Sequence, residues 1–102
     1  MYQQITCNNQ HLEVTLAGKL YSQDTTELRE EILKYIDSGV KKINLNLAEL
    51  TYMDSSGLSL LVLLHKSLQN IQGTLAINCT KGLVLEILHR TRLDKWLNIA
   101  LA

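Results

Sequence analysis

The run Tyr52-Met53-Asp54-Ser55-Ser56-Gly57 holds the residues best placed for chemistry. It separates a strand-like stretch ending near Leu50 from a long apolar segment that begins near Ser55. If that segment is a helix, Ser55 and Ser56 stand where the first backbone amides have no partner inside it. Serine at such a place serves as a cap, contributing about 1 kcal/mol. The same unpaired amides, with the positive end of the helix dipole, also favour an anion. A phosphoserine there would add roughly two negative charges without having to melt the helix. Asp54 next door would oppose that charge, so the modification would alter what a partner meets more than it would stabilise the chain. The spacing leaves both roles open: a capped turn, and a binding switch.

Catalysis by Ser55 is not expected. A nucleophilic serine needs a base within hydrogen-bond reach and a group that orients the base. The three histidines, His11, His65 and His89, lie in no motif, and Ser55 is not in a Gly-x-Ser-x-Gly elbow. His65 falls ten residues beyond Ser55, about 15 Å along a helix axis. No glycine-rich phosphate loop is present. Cys7 and Cys79 have no metal-type spacing, and each sits in an apolar-alternating stretch. They read as two reduced, largely buried thiols, with neither metal nor cofactor expected.

The elements that must position this run alternate along the chain. Leu12 to Leu16 alternates as a half-buried strand, and Tyr2 to Cys7 reads as its partner across an Asn8-Asn9-Gln10 turn. A helix follows, with Asp24 as cap, Glu27 at capping-box spacing, and Leu28, Ile32, Tyr35 and Ile36 as its apolar stripe. Gly39 ends it, and Lys42 to Leu47 alternates as the next strand. The second helix spans Ser55 to about Asn70, with Gly57, Leu60, Leu61, Leu64, Leu68 and Ile71 on one face. Leu63 falls among polar positions on the other side, flanked by Leu58 and Val62. A lone exposed leucine is ordinary. Three apolar groups off the core face would also suit a docking surface. Thr74 to Cys79 reads as a strand, Lys81 to Thr91 as a third helix, and Leu97 to Ile99 as a last short strand. The order β-β-α-β-α-β-α-β predicts an α/β domain over residues 1–102, a mixed central sheet with helices packed against it.

Composition narrows the possible partners. Ten basic and ten acidic residues cancel in a chain of 102 that is 46% hydrophobic. With no net charge, nucleic acid is not an expected partner, and the basic stretch from His89 to Trp96 is better explained as cations at a helix end. The first ten residues have no signal-peptide pattern, and the longest apolar run, Leu60 to Leu64, is far short of a membrane span. A cytoplasmic protein is expected.

The run from Leu47 to Leu58, with Asp54-Ser55-Ser56-Gly57 at its centre, is similar to the signature of bacterial anti-sigma factor antagonists, which are STAS domains. Leu16-Ala17-Gly18-Lys19-Leu20 resembles that family's Gly-x-Leu/Ile-Asp segment. Val84 to Leu88, then Thr91-Arg92-Leu93, resembles its third helix and the turn after it. The likeness runs over residues 11–99. It implies a partner-switching cycle. The unmodified antagonist binds an anti-sigma factor that is also a serine kinase. That kinase phosphorylates the first serine after the aspartate, here Ser55 with Ser56 as second candidate, and a serine phosphatase reverses it. The partner-binding surface would comprise Asp54, Ser55, Ser56, Gly57, Leu58, Val62 and Leu63, with Tyr21 and Asp24 beside it, on a monomer or weak dimer.

Two positions depart from the family pattern. Tyr21 stands where the family usually has an aspartate, and Asp24 is the nearest acidic residue after it. Arg92 stands where the turn after the third helix usually has glycine. The sequence given stops at Ala102, where many members continue in a long helix. Both substitutions bear on which kinase would be met. The rival within the same fold is a non-switching STAS accessory subunit of a larger complex, lipid-transport or signalling, which would hold its partner whatever the state of Ser55.

Overall fold

The computed structural model describes residues 2–79, 82–91 and 98–100. Strand β1 (Tyr2–Asn8) turns back onto β2 (His11–Leu20) through Asn9, whose φ of 58° suits a residue that tolerates the left-handed region. Then follow α1 (Ser22–Asp37), β3 (Lys42–Met53), α2 (Ser55–Asn70), β4 (Thr74–Asn78), α3 (Leu83–Arg90) and β5 (Asn98–Ala100). The element order is the expected one. The strands lie in the sheet in sequence order, β1 antiparallel to β2 and every later pair parallel.

That topology fixes where the helices go. From β2 to β5 each parallel crossover steps the same way, and right-handed crossovers then carry α1, α2 and α3 to one face. Burial agrees. Val14, Leu45 and Ile77 pair across the sheet in one row and are at most 1% exposed. On the other face Glu13, Thr15, Asn44, Asn46 and Asn78 are half-buried or exposed. The covering helices add Leu28 and Ile32 from α1, Leu60, Leu61, Leu64 and Leu68 from α2, and Val84 and Leu88 from α3.

Several boundaries move from their sequence-based positions. α1 begins at Ser22, two residues before the expected cap, and Asp24 occupies its third position. The capping-box partner of Asp24 is therefore Tyr21 and not Glu27. β2 runs past Leu16 to Leu20, and β3 past Leu47 to Met53. β3 carries two extra residues against β2, one between Asn46 and Glu49 and one between Leu50 and Tyr52. The first bulge shifts the inward phase, so Leu50 points into the core where strict alternation from Ile43, Leu45 and Leu47 would not put it, and the second restores the phase, so Met53 is inward again. Asn46 Oδ1 accepts from the Ala48 N–H at 3.1 Å, and the Thr51 hydroxyl donates to the Gly18 carbonyl at 3.0 Å, holding these irregular steps.

The helix ends are set locally. Ser38 N–H donates to the carbonyls of Lys34 and Tyr35, and Gly39, at φ 115°, turns the chain out of α1. α3 is described from Leu83, after Gly82. The turn with Arg92, and Trp96, lie outside the described residues.

Only one of the two thiols is buried. Cys79 is 1% exposed, and burial raises its pKa above the ordinary thiol value. Cys7 is exposed, against expectation, because β1 is the edge strand and only Ile5 of it packs on the core. Among the described residues no helix is long and apolar enough to cross a membrane.

Candidate functional site

β2 and β3 end together: Leu20 pairs with Met53. The next residues, Tyr21 and Asp54, therefore emerge side by side and open α1 and α2. Asp54 ties the two starts together. Its N–H donates to the Leu20 carbonyl at 3.3 Å. Its Oδ1 accepts from the Ser56 and Gly57 amides at 3.0 and 3.4 Å, and its Oδ2 accepts from the Ser22 amide at 3.2 Å. One carboxylate thus serves the N-termini of two helices, where both dipoles favour negative charge.

This corrects the capping expectation. The cap of α2 is Asp54, and Ser55 and Ser56 are its first two helical residues. A carboxylate can accept several amides at once, which a serine hydroxyl beside it cannot match. Ser55 is exposed and Ser56 half-buried. Gly57 lets α2 start hard against the sheet: a Cβ there would lie 3.0 Å from Met53 Cβ and 3.3 Å from Leu20 Cδ2.

Tyr21 and Asp24 belong to the same end of the molecule. Asp24 Oδ2 accepts from the Tyr21 N–H at 3.1 Å, and the Asp24 and Thr25 amides donate to the Tyr21 carbonyl, each at 3.0 Å. Asp24 is thereby engaged in the first turn of α1. The Tyr21 ring is 46% exposed and packs against Tyr52, centroids 5.6 Å apart and planes tilted by 47°.

Two adjoining clefts frame Ser55. One, of about 420 Å³, lies between α1 and α2 and is lined by Ser22, Thr25, Thr26 and Arg29 on one side and by Ser55, Ser56, Ser59, Leu60 and Leu63 on the other. The second, of about 440 Å³, is mostly apolar and lined by Leu58, Val62, Leu63 and Lys66 with Ser59 and Thr91. Ser59 and Leu63 line both, so a polar cleft at Ser55 continues into an apolar groove along α2. Val62 and Leu63 are half-buried there. Leu58, expected with them off the core, packs partly against it. No histidine lines the Ser55 cleft among the described residues. His11 pairs with Lys42 at the opposite end of β3 and bonds to Glu13 at 2.7 Å.

The family described as the STAS domain matches residues 2–102. The chain belongs to the STAS domain family. A relative from Bordetella bronchiseptica (strain RB50), provisionally named anti-sigma factor antagonist BtrV, is 32% identical over 72 residues. The match takes in 71% of this chain, which spans 62% of that relative's length. Among solved structures, the anti-sigma factor antagonist SpoIIAA in its unphosphorylated form superposes with a TM-score of 0.82 at 19% identity, over 99% of this STAS domain and 89% of that chain. The Bacillus cell fate determinant SpoIIAA in its phosphorylated form gives 0.80 at 21% identity, over 97% and 91%. These likenesses establish the fold.

Of the residues singled out from sequence, the structure gathers Tyr21, Asp24, Asp54, Ser55, Ser56 and Gly57 at one end, with Val62 and Leu63 farther along α2. Sequence reasoning passed over Ser22, Thr26, Arg29 and Ser59. Ser22, Thr26 and Arg29 do fall at helical spacing on one stripe of α1. That signal acquires meaning only once α1 is known to start beside α2.

Proposed function

We propose that the chain is an anti-sigma factor antagonist whose binding is switched by phosphorylation of Ser55. The observation that carries this reading is the division of labour at the start of α2. Asp54 holds the cap, and Ser55 stands exposed at the first helical position. A phosphate can be added to Ser55 without removing any of the hydrogen bonds made by Asp54. The α2 start and the apolar groove, joined through Ser59 and Leu63, form a continuous surface for an anti-sigma factor that doubles as a serine kinase. A serine phosphatase would restore the unmodified form. The name of the Bordetella relative and the two forms of SpoIIAA support the same role.

The mechanism is modulation of an interface. A dianion pressed against a partner surface shaped for a neutral hydroxyl is a buried, unpaired charge, which costs several kcal/mol and lowers affinity roughly a hundredfold or more. Peptide-mapping mass spectrometry on the protein from its own cells, before and after stress, tests the premise. The expected result is a phosphate on Ser55 whose occupancy changes. A persistently unmodified Ser55, with an active kinase-type anti-sigma factor present, would replace this reading with the non-switching accessory subunit.

A further inference from the structure

We propose that Arg29 receives the phosphoryl group of a phosphorylated Ser55, acting as an internal latch across the α1–α2 cleft; this rests on reading Ser55 as the switch residue. Arg29 contributes the sole charged side chain among the described residues that line the cleft, the others being serine, threonine and leucine. Ser22 and Ser55, at the two helix starts, are held beside each other because Asp54 Oδ2 accepts the Ser22 amide at 3.2 Å. Arg29 lies seven residues along α1 from Ser22, about 10 Å of axial rise. Side chains on a helix lean back toward its N-terminus, so a long guanidinium at this position leads toward Ser55 and not away from it.

Arg29 is also uncommitted. Among the described residues no carboxylate lies within ion-pair distance of it, and the His11–Glu13 pair sits at the far end of the sheet. The acidic groups nearest the cleft are engaged by backbone: Asp54 by three amides, Asp24 by the Tyr21 amide. A phosphoserine there would bring strong acceptor oxygens and a dianion that Asp54 opposes. A guanidinium fork matches phosphate geometry two bonds at a time, and its charge offsets that repulsion. The latch fixes where the dianion sits, along the cleft between the helices, and so what a partner meets.

The test installs phosphoserine at position 55 during translation, which needs no kinase, and follows the phosphorus resonance through a pH titration. In the otherwise unaltered chain the second phosphate ionisation falls below its ordinary value of about 6. Arg29→Gln moves that midpoint up, and Arg29→Lys, which keeps charge without the fork, lies between. Coincident titrations for the unaltered chain and Arg29→Gln would overturn the latch. Without phosphoserine, Arg29→Gln should melt at the same temperature as the parent, and a lower melting point there would also overturn it by giving Arg29 a structural duty. The titration reads the latch alone. A Ser55 left unphosphorylated in cells would instead remove the switch.

Discussion

Asp54 is one carboxylate answering three backbone amides from two helices, and the placement of Ser55 depends on it. Losing a cap of this kind costs about 1–2 kcal/mol. Asp54→Ala should therefore lower the melting temperature by roughly 4–8 °C for each kcal/mol lost in a domain of this size. Asp54→Asn, an equally good cap in ordinary helices, should recover much of it. A melting curve for Asp54→Ala that overlays the parent would contradict the shared-cap geometry. The sequence placed Asp54, Ser55 and Ser56 at a strand-to-helix junction, yet assigned the cap to the serines. Three neighbouring residues that all cap well differ by single positions of helix start, and only the bulged end of β3 decides among them. The same shift misplaced the cap of α1, where Asp24 proves to be the third helical residue answering Tyr21.

α2 presents distinct faces, and substitutions should sort by them. Leu64 is fully buried, so Leu64→Ala should destabilise by about 2–5 kcal/mol. Leu63, one residue before it, lines the groove half-buried, and Leu63→Ser should cost about 1 kcal/mol or less while weakening partner binding. Chemical denaturation reads both; a loss at Leu63 as large as at Leu64 would make Leu63 core and remove the groove from the binding surface. The periodicity of α2 was open to sequence reasoning because sixteen residues repeat one apolar stripe. The length of β3 was not, since two extra residues break the period of two midway. Leu58 lines the groove and also packs partly on the core, because an angular position on a helix does not say how far the neighbouring elements reach round it.

The whole molecule puts its helices on one face and gathers two helix starts at one end, beyond strands β2 and β3. That follows from a strand order that advances one way, so the neighbourhood of Arg29 and Ser55 is a property of topology and of neither helix by itself. With no net charge to draw a partner from a distance, the proposed recognition would depend on contact at that end, where a single added dianion could decide the outcome. The direct test is titration calorimetry of the chain with the proposed kinase-type anti-sigma factor, comparing Ser55→Ala with Ser55→Asp after circular dichroism shows both folded. Tight binding by Ser55→Ala and affinity lower by roughly a hundredfold for Ser55→Asp is the predicted result. Equal affinities would contradict the switch and leave Ser55 as an ordinary first residue of α2.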